Sequence, residues 1–255
     1  MRRFAILTTL ILSGTLAFAQ DKGAAAGGPK VKSKAEGEAI MALQKAQQAG
    51  DADAVIKASD ELLTKFADTD FKAYTLGVEA DAYLQKGDSA KAIVYGEQAL
   101  EADPSSYTSS ILLANVYAAT TRPTDLDKEE KLKKAEKYAN DGLALVAKAP
   151  KPNPQITDAQ WDEAKKSEQA QAYQALAAVA VVRKKYDDGI AQYQKAIDLT
   201  GDPIMMIKAG RALLDAKKPA EAIAFFDKAA AAPNATAQAK QIAESDKKRA
   251  QSMQK

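Results

Sequence analysis

Carboxylates, lysines, tyrosines and serines are the only side chains here that could do acid–base or nucleophilic chemistry, because the 255 residues include no histidine and no cysteine. Without imidazole there is no Ser-His-Asp triad and none of the usual nitrogen ligands for a metal. Without thiols there is no disulfide, no thiolate zinc site and no sulfur nucleophile. An enzyme built from carboxylates alone, for example one acting on glycans, would need two acidic side chains facing each other across a pocket. The acidic residues fall instead on polar helix faces, so this function ranks last among those considered. The sequence thus offers no catalytic, cofactor-binding or metal-ligating set, and no enzyme is expected.

The remaining charged and glycine-rich stretches have plain readings. Residues 23–28 are rich in glycine but lack the spacing and the strand-to-helix setting of a phosphate loop. The lysines of 128–137 alternate with Glu129, Glu130 and Glu136, as on a salt-bridged helix face. Lys247, Lys248 and Arg249 fall near the end of the last helix, where cations are favoured. Lys plus Arg number 36 and Asp plus Glu 34. Removing Arg2 and Arg3 with a leader brings the basic count to 34, equal to the acidic one. A neutral body gives no footprint for nucleic acid.

Such a leader is expected at 1–19. Arg2 and Arg3 precede an apolar run over 4–16, and Ala17-Phe18-Ala19 puts small residues where a signal peptidase needs them. The apolar run is shorter than the ~20 residues of a spanning helix and is diluted by Ser13, Gly14 and Thr15. Cleavage is expected between Ala19 and Gln20. The new N-terminus has no cysteine to carry a lipid, so no membrane insertion is expected after cleavage, and the location is periplasmic or secreted. Residues 20–35, mostly Gly, Ala and Lys, read as a flexible linker.

From Ala35 onward the apolar spacing is helical, and no stretch alternates with the period of a strand. Breaks at Gly50-Asp51 and Gly87-Asp88 divide the first part into pairs of short amphipathic helices. Leu43, Ala80, Ala114, Ala177 and Gly210 occupy equivalent places, at separations of 37, 34, 63 and 33 residues. Small residues there let two helices approach closely, and Tyr83, Tyr117 and Phe226 follow at packing positions. This pattern resembles the tetratricopeptide repeat family, whose period is 34 residues. Glu79 departs from it, standing where leucine is usual, and Gly96 and Gly189 replace larger residues. The resemblance implies an all-α, right-handed α-solenoid of about five helix hairpins over 36–253, ended by a C-terminal capping helix.

The interval of 63 marks an irregular, lengthened region at 118–169. It contains a loop after Tyr117, a proline-rich turn at 149–154, and a helix expected over about 157–183, with Thr157 and Gln160 at capping-box spacing. The only tryptophan, Trp161, lies on that helix. It reads first as packing onto Leu145, Val146 or Ile156 of the preceding helix and turn, and second as an exposed aromatic anchor for a partner.

In the family resembled, the first helix of each pair lines a concave face that takes peptides or helices. Carried over, that face holds Ile40 and Gln44; Tyr74, Asp81 and Gln85; Ile111 and Asn115; Gln174, Ala178 and Val181; Ile207, Arg211 and Asp215. Some members grip a C-terminal carboxylate through lysine, arginine and asparagine. Only Asn115 and Arg211 match such residues and they lie two repeats apart, so that activity is not expected. The expected function is an exported, non-enzymatic scaffold that binds a protein or peptide, with Trp161 as a further candidate contact. The alternative is a self-assembling or tethering component of an envelope complex.

Overall fold

The structure, a computed structural model, describes residues 29–254. The leader at 1–19, its cleavage point and the linker residues 20–28 lie outside the described residues. Within them the chain forms eleven α-helices and no strand. These are α1 Lys34–Ala49, α2 Ala52–Lys65, α3 Lys72–Gln85, α4 Ser89–Ala102, α5 Tyr107–Thr120, α6 Lys128–Lys148, α7 Asp158–Val182, α8 Tyr186–Thr200, α9 Pro203–Asp215, α10 Pro219–Ala231 and α11 Ala237–Ser252. They fall into two compact units: one runs through Leu113 and includes Lys148–Ala164, and the other comprises Ala114–Ala147 and the chain from Lys165 onward.

One turn recurs in both units. At Gly50, Gly87, Lys184 and Lys217 the backbone turns left-handed, with φ of 67°, 79°, 61° and 62°. In each case the next amide reaches back five residues: Asp51 to Ala46, Asp88 to Tyr83, Lys185 to Ala180 and Lys218 to Leu213, at 2.8–3.3 Å. The bond satisfies a carbonyl that the ending helix leaves orphaned. Where aspartate follows, it also starts the next helix: Asp51 accepts from the amide of Ala54 and Asp88 from that of Lys91, each at 3.0 Å. A turn of two or three residues leaves consecutive helices no option but to pack on each other.

In the first unit α1 packs on α2, α2 on α3 and α3 on α4. The core gathers Ile40, Leu43, Leu62, Phe71, Val78 and Ala82. Ile40 is fully buried, whereas Ala42 is exposed. Ile40 is therefore a core residue and leaves the open face on which it was expected. The linker reading also stops short of 35. Val31 packs against this core, Lys30 donates its amide to Asp70 and Lys32 donates its own to Glu36. Ser33 caps α1 by accepting from the amide of Glu36.

In the second unit α8 packs on α9, α9 on α10, and α11 on both α10 and α9. Of the positions expected at helix crossings, Leu43 and Ala80 in the first unit and Ala114 and Ala177 in the second are fully buried. At Gly210 a Cβ would stand 2.5 Å from Cε1 of Phe226. The same reason explains two departures from the family pattern, since a Cβ at Gly96 or Gly189 would come within 2.9 Å of Leu113 or Val181.

The lengthened region is two long helices joined by the proline-rich turn. α6 has 21 residues and α7 has 25. Thr157 and Gln160 form the expected reciprocal cap, with both amide bonds at 3.0–3.2 Å. Arg183, just past α7, holds Glu129 and Glu136 of α6 at 3.1 and 2.9 Å. Trp161 is 8% exposed and Ile156 7%, so Trp161 takes its packing role and presents no anchor to solvent.

Candidate functional site

In the second unit the first helices α5, α7 and α9 present one face each to a cleft of about 250 Å³. Helical spacing puts Gln174, Ala178 and Val181 on one side of α7, and Lys208, Arg211, Ala212 and Asp215 on one side of α9. Asn115, Ala118 and Ala119 come from α5, and the ring of Tyr193 on α8 completes the lining. The walls are alanine and valine, so the space comes from small side chains rather than from a missing element.

A relay of donors crosses this cleft. Lys208 Nζ donates to Gln174 Oε1 at 2.6 Å, and Gln174 Nε2 donates to Asn115 Oδ1 at 2.7 Å. Asn115 Nδ2 then donates to the carbonyl of Gln171 at 3.1 Å. Each amide is thereby oriented by its neighbour, a preorganised polar edge beside apolar walls. Burial lowers the proton affinity of the Lys208 amine, and Arg211 nearby lowers it further, with Asp202 opposing. Arg211 Nε is held by Asp246 of α11 at 2.6 Å. Burial pushes the Tyr193 hydroxyl up to about 12, so it stays a neutral donor. The positive charges are thus balanced by Asp215 and Asp246, and the cleft suits hydrogen-bonding partners such as peptide groups.

The sequence candidates separate. Asn115, Gln174 and Arg211 meet in the cleft, two repeats apart in sequence but joined across α7. In the first unit Tyr74 donates to Gln47 at 2.7 Å and Asp81 accepts from Gln85 at 2.7 Å. Burial raises the proton affinity of both Tyr74 and Asp81. Ile111 and Ile207 are corrections. They are 1% and 2% exposed and are core residues, not groove residues. α5 is covered on most sides, with Leu113, Val116, Tyr117 and Ala118 buried as well, and the side it leaves open carries Asn115 and Ala119 rather than Ile111. Ile207 shares a core with Ala239 and Ala243 of the final helix, which lies over α9.

Lys208 is the residue that sequence reading missed. It stands 34 positions after Gln174, one full period, and that spacing was the available signal. Tyr193 carried no separate signal, because its spacing is that of any packing residue. Among the described residues no cluster of acidic side chains has the arrangement of a metal site, and no helix is long and apolar enough to cross a membrane.

The chain belongs to the tetratricopeptide repeat family, whose repeat model matches residues 78–150 and 174–236. Solved structures share the fold. A thermophilic TPR protein of Thermus thermophilus superposes with a TM-score of 0.61 at 16% identity, over 83% of this chain and 98% of that one. MamA (41-end) from Desulfovibrio magneticus RS-1 gives 0.56 at 16% identity, over 78% and 95%. The APC/C hetero-tetramer Cut9–Hcn1 gives 0.59 at 19% identity, over 84% of this chain and 36% of that one. No curated protein matches in sequence.

Proposed function

We propose that this protein is an exported, non-enzymatic scaffold that holds an extended segment of another protein in the cleft between α5, α7 and α9. The observation that carries the reading is the relay from Lys208 through Gln174 to Asn115, a fixed polar edge next to alanine walls. A peptide laid there would meet oriented amides along one side and apolar contact along the other. The preformed face costs little to organise, so the ordering entropy falls on the partner. Membership in a repeat family that binds protein partners supports this use of the surface. The leader pattern at 1–19, with cleavage between Ala19 and Gln20, supports a location outside the cytoplasm.

The test is site-specific photo-crosslinking in the source organism. A photoreactive residue at Ala178, inside the cleft, is expected to give a discrete adduct, while one at the exposed Ala191 of α8 gives none. Gln174→Ala should abolish the adduct without unfolding the protein. Equal labelling at both positions would reject the cleft, and an intact leader in the cytosolic fraction would reject export.

A further inference from the structure

The α3–α4 hairpin buries a carboxylate that nothing pairs. Glu79 is fully buried, and neither of its oxygens has a hydrogen-bond partner. An unpaired buried charge is among the costliest groups a core can hold. The other fully enclosed carboxylate of this unit is treated differently: Glu36 accepts from Thr69 Oγ1 at 2.6 Å and from the Lys32 amide at 2.5 Å. Nor does the fold need an acid at this place. The equivalent positions one repeat on and near the C-terminus are Leu113 and Ala209, both fully buried.

The groups acting on Glu79 come from each neighbouring helix. Asp60 of α2 repels its charge, and Lys91 of α4 attracts it. Tyr95 of α4 favours the ionised form, yet its hydroxyl makes no well-formed bond to either oxygen. Tyr95 stacks on Tyr83 at 5.1 Å, and the Lys91 amine lies over the Tyr83 ring at 4.7 Å. Lys91 is thus engaged elsewhere. On α1 the buried charge is Glu36, already held, and α5 carries no charged residue at all.

We propose that Glu79 is a proton-operated latch of the α3–α4 hairpin, which packs tightly while the side chain is a neutral acid and loosens when it ionises. Burial is the main cause that raises its pKa to about 7 from 4.5, with Asp60 adding to it. The folded state then holds this proton more tightly than the unfolded chain does. The stability it lends is complete below about 4.5, falls as pH rises through about 7, and is gone above that. Most of that loss falls between about 4.5 and 7, a range in which ordinary carboxylates are already largely ionised.

The test is hydrogen exchange of the α3 and α4 amides in the mature chain, corrected for intrinsic rates. Protection is expected to fall on the order of fiftyfold more between pH 5 and 8 in the wild type than in Glu79→Gln or Glu79→Leu, which keep only the dependence that other groups such as Asp81 contribute. A wild-type profile parallel to that of Glu79→Gln would overturn the proposal. The Glu79 carboxyl carbon, followed by NMR in the wild-type protein, decides the matter even if a variant fails to fold. Titration near 7 supports the latch, and titration in the ordinary carboxylate range ends it.

Discussion

Gly210→Ala tests whether the repeats are held by close approach rather than by helix formation alone. A Cβ at 210 would lie 2.5, 2.8 and 2.9 Å from Cε1, Cζ and Cδ1 of Phe226. Carbon atoms at rest sit about 3.5–4.0 Å apart, so the ring must retreat by about 1 Å. Phe226 is fully buried in the core shared by α9, α10 and α11, so a shift of the ring displaces its neighbours. Overpacking of this kind costs about 1–3 kcal/mol, and the enclosed ring argues for the upper half. Alanine in a helix interior gains about 1 kcal/mol over glycine. The net expectation is destabilisation by about 1–2 kcal/mol, near tenfold in the folding constant. Urea unfolding followed by far-UV circular dichroism measures it. Because repeat arrays can unfold in steps, the value is best read in a double-mutant cycle with Phe226→Leu on the same transition. Removing the ring edge should relieve at least half of the alanine penalty. A Gly210→Ala protein more stable than wild type, or an identical cost in both backgrounds, would refute the reasoning.

Lys184 and Lys217 hold left-handed backbone at φ of 61° and 62°, a conformation that strains any residue with a Cβ. Replacing either by glycine should raise stability by about 1 kcal/mol, and thermal melts showing a loss would contradict the turn assignment. Trp161→Ala should destabilise by about 3 kcal/mol or more, as for other buried large aromatics. Unchanged unfolding with weakened partner capture would instead restore its role as an anchor.

Much of the architecture was readable because repetition averages out local ambiguity. Leu43, Ala80, Ala114, Ala177 and Gly210 mark the helix crossings in the sequence and are buried in the structure. The cap of Thr157 with Gln160 was readable from spacing alone, as were the turns at Gly50 and Gly87. The turns at Lys184 and Lys217 use the same backbone without its usual residue, so no local signal announces them. The candidate face was half legible. Asn115, Gln174 and Arg211 sit where the repeat pattern places them, whereas Ile111 and Ile207, carried over from the family's concave face, lie on the buried sides of their helices.

The sequence by itself determined the repeat, the absence of imidazole and thiol chemistry, and the nearly balanced charge of +2, because these depend only on residue types and their intervals. Tertiary structure decided which side of each helix stays open. That depends on what packs next to it: the final helix seals Ile207, and three helices brought side by side link Lys208 to Asn115 through Gln174. It also decided that Glu79 is enclosed without a partner, since burial of a charge is a property of its neighbours and not of its place in the chain.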